Sequence, residues 1–166
     1  MDRARLRRLQ EPLKAHYREA PEAAVVTLSA TGTLGDGVSC SVETGRALAV
    51  AGLHPASGGD GSLLCSGDML LEALAACAGV TLRAVSTSLG IPVAAGAIHV
   101  EGDLDFRGTL AVDKQAPVGF TAIRVRFDLE SDADAEQLAT LLRLTERYCV
   151  VYQTLVASPT VSISWT

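Results

Sequence analysis

Two cysteines pose the chemical question in this chain. Cys77 stands in the alanine-rich run Leu-Ala-Ala-Cys77-Ala-Gly, and Cys149 follows Thr145-Glu-Arg-Tyr 72 residues later. Thiol chemistry belongs to the anion. An unperturbed thiol, with a pKa of about 8.5, is only a few per cent ionised at neutral pH, so a working cysteine needs a nearby cation or a helix N-terminus. The spacing puts Cys77 about three turns into a helix, where the dipole of that helix helps little. A cation is therefore expected, with Arg46, Arg83, Arg107 and Arg147 as the candidates. The plainer reading of each is a small core residue, since a cysteine among alanines on an apolar helix face packs as a hydrophobe.

Other residues frame these two. Asp68 sits where a carboxylate suits a helix N-terminus. Glu72 falls inside an apolar helix, at its edge or in an ion pair, because an unpaired buried carboxylate is costly. Cys65 precedes the same helix and Cys40 alternates within a strand. His16, His54 and His99 are too scattered for a zinc site, and no CxxC pair is present. The loop Gly58-Gly59-Asp-Gly61 lacks the lysine and spacing of a phosphate loop. No cofactor or metal is expected.

The positioning elements follow from periodicity. Leu6, Leu9, Leu13 and Tyr17 mark a short amphipathic helix, so residues 1–22 read as a helical extension to a single domain spanning 1–166. Strands are expected at Ala24–Ala30, Val38–Glu43 and Arg46–Val50, with a turn over Gly32–Gly37, as an antiparallel meander. A Gly- and Ser-rich loop, His54–Ser62, leads to a helix N-capped by Ser66 and running to Leu89. Its apolar arc is wide enough to be buried, and Gly90 is placed as its C-cap. A strand region covers Ile91–Leu110, and a half-exposed strand covers Phe120–Leu129. A helix capped by Asp132 or Asp134 ends near Cys149 and resumes through Leu155. Thr160–Trp165 reads as a last strand. The class is α+β.

Bulk properties exclude other roles. The net charge of −5 and the absence of a basic field speak against nucleic acid. The segment Met69–Leu82, interrupted by Glu72 and followed by Arg83, reads as too short and too charged to span a membrane. The opening residues lack the apolar stretch of a secretory leader, so a cytoplasmic protein with reduced thiols is expected.

The stretch Met69-Leu-Leu-Glu-Ala-Leu-Ala-Ala-Cys77-Ala-Gly-Val-Thr81-Leu, the helix end at Leu-Gly90-Ile and the second cysteine after another helix together resemble the OsmC/Ohr family of osmotically inducible and organic hydroperoxide resistance proteins. The likeness runs from about Ala24 to the C-terminus. It implies an OsmC-like fold, with antiparallel sheets wrapped around two long central helices in an intertwined homodimer and active sites at the subunit interface. It implies a peroxidatic Cys77, a resolving Cys149, an organic hydroperoxide substrate and a dithiol reductant. In such proteins an arginine near the first strand pairs with a glutamate before the helix. Here Thr31–Asp36 holds no arginine, leaving Arg46 as the nearest candidate, and Asp68 stands in for the glutamate. Val150, rather than proline, follows Cys149. An OsmC-like branch with thiol peroxidase activity is the resulting expectation. A non-catalytic dimer that senses redox state or binds a small apolar ligand is the alternative.

Overall fold

The computed structural model describes residues 2–5, 8, 10, 19, 31–34, 39–43, 48–111 and 113–165. The expected strand Ala24–Ala30, most of the expected N-terminal helix and Arg46 lie outside them; residues 3–5, 8, 10 and 19 are helical. The chain forms two compact units. One comprises Met1–Ala15, Ala73–His99 and Val125–Thr166, and the other His16–Glu72 and Val100–Arg124.

The second unit holds a four-stranded sheet in the order β1 (Thr31–Leu34), β2 (Ser39–Glu43), β3 (Leu48–Gly52), β4 (Leu64–Cys65). β1, β2 and β3 form an antiparallel meander, with Thr31 opposite Glu43 and Ser39 opposite Gly52; β2 and β3 answer to the expected strands Val38–Glu43 and Arg46–Val50, while the expected Ala24–Ala30 lies outside the described residues. β4 joins β3 in parallel, Gly52 opposite Cys65. Two boundaries differ from the sequence expectation. Gly32–Leu34, expected as the start of the turn Gly32–Gly37, belongs to β1. The third strand starts at Leu48 and continues to Gly52.

Helix α1 spans Ser66–Leu89, about 36 Å at the usual rise per residue. Asp68 lies in its first turn. Gly90 ends it at φ +72°, a left-handed conformation that glycine adopts without a Cβ clash. The helix ends at Leu89 as expected, with Ser66 as its first residue rather than its N-cap. It is long and apolar enough to cross a membrane, with a mean hydropathy of 1.5 over its best 18-residue window. Only Leu74, Ala78, Leu82 and Ser86 on it are buried.

β5 (Ala95–Leu104), the short helix α2 (Phe106–Thr109) and β6 (Phe120–Glu130) follow, where the sequence had suggested one continuous strand region to Leu110. Asp105 stops β5: its side chain accepts the Arg107 N–H and caps α2. β5 and β6 form a two-stranded sheet. Ala94 N–H bonds to Glu130 O, and the Thr121 hydroxyl to Asp103 O, so the strands run antiparallel.

Helix α3 (Ala135–Tyr148) opens with a full capping box. Asp134 accepts the Gln137 N–H at 2.8 Å, and the Gln137 side chain accepts the Asp134 N–H at 3.1 Å. Helix α4 (Val150–Val156) follows after a single extended residue, Cys149. In the first unit Leu82, Ile91, Val93 and Leu141 make a buried cluster, against which Val85, Phe127, Leu129 and Leu138 pack. The expected last strand is not part of a sheet: residues 158–165 are neither helix nor strand, and they are exposed.

Candidate functional site

The first unit brings Cys77 and Cys149 together. Cys77 is half-buried on α1, next to the buried Ala78. Cys149 is 1% exposed, at φ −74° and ψ 108°, and serves as C-cap of α3 and N-cap of α4 at once. Local bonding holds this break in place. The Cys149 N–H donates to Thr145 O and its carbonyl accepts the Gln153 N–H, both at 2.9 Å. Thr145, also 1% exposed, donates its hydroxyl to Leu141 O at 2.8 Å. Val150 and Val151 come next, both β-branched and stiff at χ1, which lowers the advantage of continuing α3 unbroken. Both cysteines are free thiols.

The two thiols are pushed in opposite directions. Burial drives the Cys77 thiol up. Hydrogen bonds from the Val151 N–H, the Cys149 thiol, the Thr81 hydroxyl and the Val150 N–H outweigh that, and the net result lies below the ordinary thiol value. Burial also drives Cys149 up. The N–H groups of Tyr152 and Val151 oppose this, but the thiol donated to Cys77 and the charge on Cys77 reinforce it, and Cys149 ends above the ordinary value. Of the two, Cys77 is therefore the more readily ionised and Cys149 the less.

The activating groups differ from the expected cation. Among the described residues no guanidinium contributes to the depression at Cys77. Arg83 donates to the carbonyls of Val93 and Ala94. Arg107 pairs with Asp105 and Asp113. Arg147 lies 5.7 Å over the Tyr148 ring. The donors are instead two backbone amides at the start of α4, a hydroxyl and a thiol. Thr81 was legible as the residue one turn beyond Cys77 on the same helix face. The amides of Val150 and Val151 carry no sequence signal, because any residue there supplies an N–H.

Asp68 and Glu72 belong to the second unit, and both are exposed. Glu72 is therefore the helix-edge residue of the two options. Asp68 lines a cavity of about 340 Å³ with His54, Cys65, Leu71, Phe106 and Phe120. His54 accepts the Ala56 N–H at Nδ1 (3.0 Å) and stacks on Phe106 at 5.1 Å. Among the described residues no group of three or more His, Cys, Asp or Glu is placed to hold a metal ion.

Comparison with known proteins identifies the family and the fold. The family described as OsmC-like protein matches residues 59–164. A search by sequence among curated proteins gives no match. Several solved structures are similar. An OsmC-like protein from Mycoplasma pneumoniae aligns with a TM-score of 0.68 at 16% identity, over 80% of this chain and 89% of that one. An organic hydroperoxide resistance protein OsmC from Legionella pneumophila gives 0.63 at 14%, over 80% and 91%. An organic hydroperoxide resistance protein from Elizabethkingia anophelis gives 0.61 at 14%, over 81% and 91%. At these identities the likeness is one of fold.

Proposed function

The chain belongs to the OsmC-like protein family, and on that premise we propose that it is a thiol-dependent peroxidase that reduces organic hydroperoxides. Cys77 is the peroxidatic residue and Cys149 the resolving one. The observation that carries this reading is the opposite pull on the two thiols: the half-buried sulfur ionises more readily than an ordinary thiol and the fully buried one less readily. The Cys77 thiolate attacks the hydroperoxide oxygen, the O–O bond breaks, and alkoxide leaves. The Cys149 thiol supplies the proton that makes the alcohol. The resulting Cys149 thiolate attacks the Cys77 sulfenic acid, expels hydroxide and closes the disulfide. An external dithiol then restores both thiols and becomes a disulfide itself. No cofactor takes part.

The same reading makes the protein a homodimer. Val80 is 72% exposed, and Leu70 and Leu89 on α1 and Tyr148 and Val150 beside Cys149 are exposed as well. Apolar area of this kind on a long apolar helix is what a second copy would cover. A cytoplasmic setting, where thiols stay reduced, suits the chemistry.

The test is turnover of tert-butyl hydroperoxide by the purified protein with a dithiol. Cys77→Ser is expected to abolish it, and unchanged turnover in that variant would sink the assignment. The missing cation among the described residues supports one other reading, a redox sensor. A sensor consumes one equivalent of hydroperoxide per chain and stops even with dithiol present, whereas a peroxidase continues.

A further inference from the structure

The geometry points to a covalent binding site in the second unit: Cys65, in the cavity it shares with His54, captures neutral α,β-unsaturated aldehydes as thioethers. The site shares no residue with the Cys77–Cys149 pair, and the inference does not rest on the peroxidase reading.

Glycines open the space. The cavity, about 340 Å³ and formed by second-unit residues alone, has the size of a small-molecule pocket. A Cβ placed on Gly67 would lie 3.5 Å from Cys65 Sγ, 3.5 Å from Phe120 Cζ and 3.6 Å from Leu104 Cδ1. Three side-chain ends therefore converge on a point that residue 67 leaves empty. A Cβ on Gly102 would fall 2.6 Å from the Phe120 ring, so the glycine is what lets this ring lie against β5 as an apolar wall. Cys65 is only partly buried, so a ligand reaches its sulfur from solvent.

A hydrogen-bond donor stands in the same cavity, held from several sides. His54 Nδ1 accepts the Ala56 N–H at 3.0 Å, which leaves the ring proton on Nε2. The ring stacks on Phe106 with centroids 5.1 Å and planes 23° apart. The His54 carbonyl accepts the N–H groups of Ser57 and Gly59 at 2.8 and 3.1 Å. The cavity thus offers a sulfur nucleophile, one N–H donor and aromatic walls. An enal needs these three: attack at its β-carbon, a donor for its oxygen and cover for its chain.

The reaction balances within the two partners. The Cys65 thiol gives its proton to water, and the sulfur electron pair forms a C–S bond to the β-carbon. The C=C π pair shifts to make an enolate, whose oxygen the His54 Nε2–H stabilises. Water then returns a proton to the α-carbon and the aldehyde re-forms. The sum is addition of S–H across C=C, with no external oxidant or reductant consumed. Asp68, an exposed carboxylate lining the same cavity, disfavours anionic electrophiles, so the ligand is a neutral one.

The experiment treats the reduced full chain with less than one equivalent of trans-2-octenal or trans-2-pentenal. Borohydride fixes the adducts, and peptide mass spectrometry locates them. Cys65 is expected to carry most of the adduct, ahead of Cys77 and the buried Cys149. Three further methylenes against the apolar walls should make octenal about tenfold faster than pentenal at Cys65, whereas glutathione takes up the two at similar rates. Gly67→Ala adds a methyl at ordinary contact distance, and alanine suits a helix better than glycine. That variant should keep its melting temperature and slow octenal several-fold at Cys65. His54→Phe keeps a ring for Phe106 to stack on and removes the N–H. It should slow octenal at Cys65 but not iodoacetamide, whose substitution at a saturated carbon makes no enolate. Adduct mainly at Cys77 overturns the proposal. So do equal octenal and pentenal rates at Cys65, a wild-type octenal rate in Gly67→Ala, or a wild-type octenal rate in His54→Phe. Hydroperoxide turnover enters none of these readouts, so the peroxidase assignment stands or falls separately.

Discussion

At Cys77 the position of the proton is decided by competition between burial and four hydrogen-bond donors, so each donor can be weighed. Thr81→Val keeps the shape of the side chain and removes the hydroxyl. One hydrogen bond to an anion contributes on the order of 1 kcal/mol or somewhat more, and 1.36 kcal/mol is one pKa unit. Losing a donor destabilises the thiolate, so the Cys77 pKa should rise in this variant, read as the pH midpoint of alkylation by iodoacetamide. In the wild type that midpoint should fall below that of a free thiol. The Cys149 midpoint should lie above it, because Cys77 holds the charge that Cys149 would otherwise compete for. The sequence singled out Cys77 and Cys149 as the candidate nucleophiles, since residue type and spacing are written in it. What activates them was not legible: a charged side chain can be searched for, but a backbone amide cannot. Among the described residues, which leave out Arg46, the donors at Cys77 depend instead on where the α3–α4 break falls.

The elements that place these residues were mostly readable because their signals are local. Alternation of Ile123, Val125, Phe127 and Leu129 with charged neighbours is visible in the chain, and β6 extends one residue beyond it, to Glu130. The Asp134–Gln137 box that starts α3 is likewise a short-range pattern. Asp134→Ala should lower stability by about 1 kcal/mol, measured by urea denaturation at neutral pH. Because α3 carries Cys149 at its far end, the same variant should leave the Cys77 midpoint unchanged as long as the protein remains folded. Where signals depend on partners outside the local stretch, the reading failed. Glycine at position 32 argued for a turn, but pairing of Thr31–Leu34 with Cys40–Glu43 overrides that preference. The alternation of Thr160–Trp165 describes a strand correctly only if another strand is beside it, and propensity cannot say whether one is.

For the whole molecule, the decisive property is apolar surface that a single chain leaves uncovered. A helix of mean hydropathy 1.5 with so few buried residues needs a second surface. Val80 is the most exposed large apolar residue on it. Val80→Lys should therefore shift the protein from dimer to monomer in sedimentation at micromolar concentration, with the circular dichroism of the helices retained. A dimer of unchanged strength would place the interface elsewhere. The net charge of −5 keeps such copies from associating without order, since like charge repels at a distance and only a matched apolar contact outweighs it.

At the first turn of α4 the N-cap Cys149 has no side-chain bond of capping geometry, and the sulfur that the Val150 and Val151 amides favour as an anion, Cys77, is delivered by a different helix. The cap is therefore titratable and oxidisable, unlike the fixed Asp134 cap of α3. When Cys77 is protonated, or its charge is lost in a disulfide, the first turn of α4 loses its counter-ion, and its amides at Val150 and Val151 should exchange hydrogen about tenfold faster than in the reduced thiolate form. Seven residues of helix would then act as a gauge of the state of the sulfur they face, readable by mass spectrometry without any substrate present.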